Sequence, residues 1–207
     1  MEGIFCGGPN FFGEGSETIS GFDAGGLSTG RCDSIVKVIR ALENVRFLRL
    51  DGISMQALYG GTSPLFVKFS KLTKLDIECH CCQWRSLPVM LGCSAVLEVL
   101  KIRKVKCVSD GSIQCDCWDE PKEVPECLSN SLATMSFTGF EGIDSEMKMV
   151  KYISKHGAVM RTIELESAPD RVASNTKFQT LWRISMFPRF SPTCKIQFDG
   201  VDVSKAL

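Results

Sequence analysis

The sequence has no excess of charge of either sign. Lys+Arg and Asp+Glu both number 24 in 207 residues, and the pI is near 6.7. Binding nucleic acid through bulk charge needs a basic surplus, because affinity for phosphates comes largely from displaced counterions. Anionic membrane surfaces make the same demand. Neither nucleic acid nor membrane is expected as a partner. A bilayer-spanning helix needs ~20 consecutive apolar residues. The longest uncharged stretch, 52–67, holds a Gly pair and Pro64, and the next, 86–97, is shorter. Met1-Glu2-Gly3-Ile4 has no basic n-region and no apolar h-region, so no secretory leader is expected. Val203–Leu207 is neither a prenylation nor a retrieval signal.

Histidine is also scarce. His80 and His156 are the only two. A Cys–His hydrolase needs a thiolate beside an imidazole and a third group to orient the base. His156 stands at a predicted helix end, where its charge suits the helix dipole. His80 adjoins Cys81, but neighbouring strand residues point to opposite faces. No enzyme and no catalytic residue is expected.

Cysteine, by contrast, is plentiful, with 11 residues. The count is odd and the chain is long for a disulfide scaffold. Reduced thiols in the cytoplasm or nucleus are the better reading. The densest group is Cys79-His80-Cys81-Cys82, a ligand set that suits zinc, with Cys107, Cys115 and Cys117 as further candidates. No CxxC…CxxC spacing exists, and strand alternation would turn adjacent ligands apart. Small buried thiols are expected, with no metal ligand and no cofactor. A zinc-binding or thiol-dependent protein built on Cys79–Cys82 is the alternative.

Nine of 18 glycines fall in the first 30 residues, without apolar periodicity. Residues 1–33 are therefore expected to be irregular or disordered. Gly7-Gly8 and Gly25-Gly26 fit neither phosphate-loop spacing. A helix is predicted over 34–45, with Ile35, Val38, Ile39 and Leu42 on one face and Asp33 or Ser34 as its cap.

The strongest pattern is a repeat. Val45-x-x-Leu48-x-Leu50 recurs as Leu72-x-x-Leu75-x-Ile77 and Leu97-x-x-Leu100-x-Ile102. Weaker copies follow at Leu132-x-x-Met135-x-Phe137 and Met160-x-x-Ile163-x-Leu165. The steps are 27, 25, 35 and 28 residues, the longest holding the acidic, cysteine-rich insertion Cys107–Asp119. This spacing suits leucine-rich repeats, each with one parallel strand and a return segment. Return helices are predicted at Ser86–Gly92, with Pro88 in the first turn, at Ser145–Gly157, capped by Ser145, and at Phe178–Phe187, stopped by Pro188. Cys194–Phe198 is predicted as a last strand.

From Trp118 onward the residues resemble a known family. The blocks are Trp118-Asp-Glu-Pro121, Val124-Pro-Glu-Cys-Leu128, Ser131-Leu132, Phe137-x-Gly139-Phe140-x-Gly142, Glu146-Met147 with Val150 and Tyr152-Ile153, and Met186-Phe-Pro-Arg189 with Ser191-Pro192 and Cys194. They resemble the FBD domain of plant F-box/leucine-rich-repeat proteins, and residues 45–103 resemble the repeats that precede it. The resemblance implies an α/β fold: an incomplete leucine-rich-repeat solenoid of parallel strands continuing into an FBD-like part. The expected divisions are 1–33, 34–117 and 118–207. It also implies a non-catalytic interaction module, similar to the substrate-recognition part of an SCF-type ubiquitin ligase receptor. No F-box-like segment is found, so a Skp-type adaptor is not expected to dock. The target protein is unknown.

The candidate binding surface is the set of residues flanking the apolar positions. These are Arg49 and Asp51, then Lys74, Asp76 and Glu78, then Lys101 and Arg103, then Ser136 and Thr138, then Glu164 and Glu166. In a parallel stack Arg49, Asp76 and Lys101 become neighbours. Such a row makes exposed ion pairs worth ~0–1 kcal/mol each, or a surface that reads a protein partner. Trp84, Trp118 and Trp182 are either interface anchors or core-edge fillers, with packing favoured for Trp118.

Overall fold

Alternating apolar and polar residues let a strand bury one side and leave the other open. The chain uses that device once per return. The computed structural model describes residues 16–19, 29–60, 68–79, 86–105, 118–168 and 174–203. They build an α/β arrangement around one eight-stranded sheet whose strand order follows the sequence. The strands are β1 (Ser16–Ile19), β2 (Phe47–Leu50), β3 (Lys74–Cys79), β4 (Val99–Lys104), β5 (Thr134–Phe140), β6 (Thr162–Ser167), β7 (Lys195–Phe198) and β8 (Val201–Asp202). β1 through β7 run parallel, and β8 turns back antiparallel on β7. The helices between them are α1 (Thr29–Ala41), α2 (Gly52–Gly60), α3 (Leu87–Gly92), α4 (Glu126–Asn130), α5 (Asp144–His156) and α6 (Ser174–Ser185).

The register is continuous across six strands. Leu48, Leu75, Leu100, Met135, Ile163 and Ile196 stand side by side, and so do Leu50, Ile77, Ile102, Phe137, Leu165 and Phe198. None of these exceeds 4% exposure. The first apolar residue of each repeat, Val45, Leu72, Leu97, Leu132 or Met160, is buried just ahead of its strand. Burying one such side chain stabilises by roughly 1.5–3 kcal/mol. A one-residue slip of a strand would turn its apolar pair to water. The five predicted strand cores all fall where expected, and the sheet runs unbroken from β4 to β5 across the expected division at 117/118.

α5 shows how a return segment is fixed. Met147, Met149, Val150, Tyr152 and Ile153 are buried, while Lys148, Lys151 and Lys155 face water. Gly157 closes it, its N–H bonded to the Ile153 carbonyl at 2.8 Å. Ser145 does not cap it. The N-cap position belongs to Ile143, and the Ser145 hydroxyl is buried without a hydrogen-bond partner. α3 begins with Pro88 in its first turn, where the missing N–H costs nothing. α6 starts four residues before its predicted onset and ends at Ser185, before Pro188.

The N-terminal expectation is corrected in two places. Ser16–Ile19 pairs with β2, so residues 1–33 are not uniformly irregular. Thr18 and Ile19 are β-branched and suit an extended backbone, and β2 offers hydrogen-bonding groups along that side. α1 runs 29–41 rather than 34–45, so Asp33 and Ser34 lie inside the helix and not at its N-cap. It stops before Leu42, Glu43 and Asn44, which turn so that Val45 can enter the core.

β8 was not foreseen. It depends on Asp199 and Gly200, with φ 48° and 79°, the two left-handed residues of a tight hairpin. Asp199 also reaches sideways. Its Oδ1 accepts the Ser167 N–H at 2.7 Å, and its Oδ2 accepts the Ser167 hydroxyl and Lys177 Nζ, both at 2.8 Å. Burial alone would raise this carboxyl, but the hydrogen bonds from Lys177 and Ser167 outweigh it and hold it below the usual aspartate range. A lowered carboxyl contributes stability above its unfolded value, near 3.8, and loses it as pH falls through the folded value. Asp199→Asn keeps the turn, since Asn tolerates positive φ, and removes the charge. We expect it to cost up to ~1 kcal/mol at pH 7. The gap to the wild type should close below pH ~4. Urea melts across pH check this, and a gap that widens in acid would show the ion pair to be misassigned.

Candidate interaction face

The face opposite the apolar ladders carries the flanking residues in rows. Arg49, Asp76, Lys101, Ser136, Glu164 and Gln197 form one row across β2 to β7. Glu78, Arg103, Thr138 and Glu166 form the next, across β3 to β6. Lys74 lies beside Phe47, its ammonium 4.8 Å from the ring centre.

Charges on this face pair diagonally rather than along the row. Glu78 Oε2 takes both Arg49 at 3.2 Å and Arg103 at 2.9 Å. Thr138 donates to Glu166 at 3.1 Å. Asp76 faces this side but is 8% exposed, between Arg49 and Lys101 on the neighbouring strands. Asp51 is not on the strand. It follows β2, and its Oδ1 accepts the Ser54 N–H at 2.9 Å, which caps α2. Lys101 and Glu164 are exposed and make no ion pair among the described residues. Strands lie ~4.8 Å apart, so these two charges stand ~10 Å from one another with Ser136 between them. One half of the face therefore offers interlocked arginines and carboxylates. The other offers hydroxyls and two glutamates.

Behind the end of the face lies an ion cluster that sequence reasoning missed. Lys104 ends β4 on its buried side, with 3% of its side chain exposed. Its ammonium meets Glu146 at 2.6 Å and Glu141 at 3.0 Å. Glu146 is fully buried, and its second oxygen accepts the N–H groups of Glu141 and Gly142 at 2.8 and 2.7 Å. This carboxylate ties the first turn of α5 to the two residues ahead of its N-cap, Ile143, and the helix has no side-chain cap. Burial pushes Glu146 above the usual glutamate range, against the pull of Lys104 and the two N–H groups. Burial would lower Lys104, yet the two carboxylates outweigh it and hold it above the lysine range.

The glycines of this corner follow from the same packing. Gly139 has φ 84°, and a Cβ there would sit 2.5 Å from the Lys104 carbonyl oxygen. Gly142 has φ 74°, and a Cβ there would sit 2.7 Å from the Thr180 hydroxyl. The block Phe137-x-Gly139-Phe140-x-Gly142 together with Glu146 is thus one joint: two rings edge-on at 5.2 Å, two left-handed glycines and one buried acid. Trp118 packs on Tyr152 at 5.7 Å, as favoured, and Tyr152 on His156 at 4.6 Å.

The thiol reading gains no support. Cys79 is buried in β3. His80, Cys81, Cys82, Trp84, Cys107, Cys115 and Cys117 lie outside the described residues. No group of three His, Cys, Asp or Glu among the described residues could hold a metal ion. No helix among them is long and apolar enough to cross a membrane. Burial pushes the Cys127 thiol up to about 12.

Comparison with known proteins places this joint in a family context. The FBD family pattern matches residues 120–165, which hold the glycine–glutamate corner. A probable FBD-associated F-box protein of Arabidopsis thaliana is 33% identical over 141 residues, covering 66% of this chain and 32% of its own length. A second FBD-associated F-box protein of that plant is 28% identical over 165 residues, covering 79% and 36%. A putative F-box/FBD/LRR-repeat protein, again from Arabidopsis thaliana, is 29% identical over 143 residues, covering 67% and 32%. No solved structure matches the chain. The chain carries an FBD segment and is related to the plant F-box/FBD/LRR-repeat family. It spans about a third of the length of the curated relatives it matches.

Two outcomes test this corner. Glu146→Ala leaves Lys104 buried beside a lost partner and should cost ~3–5 kcal/mol in urea unfolding. Lys104→Met with Glu146→Gln removes both charges and keeps an acceptor for the two N–H groups, so it should cost clearly less. A double variant worse than the single one would contradict the pairing. Cys79 and Cys127 should resist iodoacetamide at pH 8 until the protein is unfolded. Native labelling of Cys127, read by mass spectrometry, would contradict its burial.

Proposed function

We propose that this chain is a non-catalytic protein-interaction module that reads a protein partner with the open face of its sheet. The observation that carries the reading is the continuous row from Arg49 to Gln197, backed by a rigid apolar ladder. Strands in sequence order, spaced about 25–35 residues apart, support an incomplete leucine-rich-repeat solenoid. Solenoids of this kind present extended surfaces to partners. The relatives' names carry the F-box, and one of them the repeats as well, which supports a role like the substrate-recognition part of an SCF-type ubiquitin ligase receptor. A cytoplasmic or nuclear setting suits the thiols of Cys127 and Cys194, which form no disulfide.

Arg49, Glu78 and Arg103 hold one another, so they shape the face more than they search for a partner. Lys101, Ser136, Glu164 and Glu166 are the groups we assign to recognition, with Asp76 supporting the row from beneath. Mixed charge of this kind selects a partner by complementarity and by penalising wrong ones.

The test uses the tagged chain and its Lys101→Glu, Glu164→Lys variant as baits in plant extract, with quantitative mass spectrometry. Both sites are exposed, so unfolding stability should stay within ~0.5 kcal/mol. We expect at least one protein to be recovered by the wild type and reduced about tenfold or more with the variant. Equal recovery by both baits, or no protein above background, would overturn the reading.

A further inference from the structure

The open face of the sheet has a charge order from β4 to β7. Lys101 stands exposed on β4, and Glu164 and Glu166 stand exposed on β6. None of the three makes an ion pair among the described residues. Toward β2, Arg49 and Arg103 are already held by Glu78. Toward β8, Asp202 stands opposite Gln197. Lys195 lies beside Thr162, one position nearer the strand starts, and pairs with neither glutamate among the described residues. The row therefore has a cationic end at Lys101 and an anionic end on β6.

Two uncharged polar groups alternate with these charges. Ser136 stands between Lys101 and Glu164, and Gln197 stands beyond Glu164. Both are half-buried, and neither side chain makes a hydrogen bond among the described residues. The row reads ammonium, hydroxyl, carboxylate, amide, in steps of ~4.8 Å.

The face offers little to an apolar occupant. None of the exposed large apolar residues among those described lies on it. Val201, the one on a strand, shares the side of buried Phe198. An amphipathic helix docks its apolar side into an apolar groove, which this row lacks. Two copies meeting face to face would have the same shortage, since homodimer interfaces are richer in apolar surface than most. A polyanion would meet Glu164 and Glu166.

Spacing selects among extended chains. Lys101 and Glu164 are two strand steps apart, ~9.6 Å. Side chains on one edge of a polyproline-II segment recur at every third residue, ~9.3 Å. On one side of a β-strand they recur at ~6.8 Å, which matches neither one step nor two. A polyproline-II backbone also leaves its N–H and C=O groups unpaired, and Ser136 and Gln197 can bond to them.

We propose that the row from Lys101 to Gln197 takes an extended, polyproline-II-like segment of a partner protein, laid across the strands. An acidic side chain of that segment meets Lys101, and a basic one three residues away meets Glu164 and Glu166. The two glutamates lie two residues apart on one strand side, ~6.8 Å, so one guanidinium reaches toward both. The proposal rests on the reading that this face binds a protein, and it names the form and charge order of the chain it takes.

The test selects a random peptide library of about twelve residues on the full chain. The same selection is run on Lys101→Glu and on Glu164→Lys with Glu166→Gln. These positions are exposed, and circular dichroism checks that the variants fold. The wild type should enrich an acidic and a basic residue three apart. Lys101→Glu should enrich two basic residues at that spacing, and the β6 variant two acidic ones. By fluorescence anisotropy at low salt, Lys101→Glu should weaken a wild-type peptide about tenfold. Proline at its two intervening positions should leave affinity within about twofold, which a helix would not allow. No enrichment, enrichment that the variants do not change, a different spacing, or loss of binding with proline would overturn the proposal. So would a dimer in sedimentation that Lys101→Glu dissolves. The baits in plant extract separate the two levels. A protein lost with the charge variant there, without peptides enriched here, overturns the extended segment and leaves the face as a binding surface. Equal recovery by both baits overturns both.

Discussion

Strand phase is the constraint on which everything else in this chain depends. Side chains alternate with period two, so fixing Leu100 and Ile102 inward also fixes Lys101 and Arg103 outward. Six strands share one phase, and their neighbours hold it through the parallel ladder. Twelve buried side chains at roughly 1.5–3 kcal/mol each far exceed a net stability of ~5–15 kcal/mol, so no slipped register survives as a competitor. The outer rows inherit their order from that inner requirement. Exposed ion pairs such as Arg49–Glu78 contribute too little to set it. The face can thus vary in charge without endangering the fold.

The corner at Lys104, Glu141 and Glu146 solves a different problem. β5 ends by bending out of the ladder at Gly139, and its pairing with β6 shifts between Thr138 and Phe140. That bend frees the N–H groups of Glu141 and Gly142, which would be costly to bury unpaired. Glu146 accepts both, and its charge is met by Lys104 from the neighbouring strand. One carboxylate therefore ties β4, the bend and the first turn of α5. An apolar residue at 146 could fill the space, but it would leave two donors without a partner and the ammonium with Glu141 alone. Such a cluster adds less stability than its Coulomb attraction suggests, because two charges leave water. What it adds is a single geometry for the turn.

The apolar ladders were legible because their signal is local and repeated: five copies of one spacing, each visible within six residues. The amphipathic α5 was legible for a similar reason. α2 was not, because Gly52, Ser54, Met55, Ala57 and Leu58 are all buried and no polar side marks a period. β1 and β8 are too short to carry a pattern, and β8 depends on the conformation of two turn residues. Lys104 and Glu146 were readable in part. Lys104 continues the inward phase of Leu100 and Ile102, and Glu146 shares helical spacing with Val150 and Ile153. Their pairing is not local, since 42 residues separate them. The candidate face was legible as rows. The diagonal choice of Glu78 by two arginines and the loss of Asp51 to a helix cap depend on three-dimensional reach that spacing does not encode.

Net neutrality hides a division of charge. The acids that α6 and its following segment lack stand on the strand face, at Glu164 and Glu166, and at the contact points Asp144 and Asp199. Those two aspartates fasten α6 to the body of the fold through Arg183 and Lys177. The segment is therefore held by half of its own charges, and of the rest Lys195 stands on the sheet face in phase with Gln197. On the sheet face Glu78 takes Arg49 and Arg103, while Glu164 and Glu166 stand together on β6. A chain with equal totals thus distributes its charges unevenly among its elements. Zero net charge gives the whole molecule no bulk attraction to a polyanion, but it says nothing about any one surface. Recognition has to be argued surface by surface.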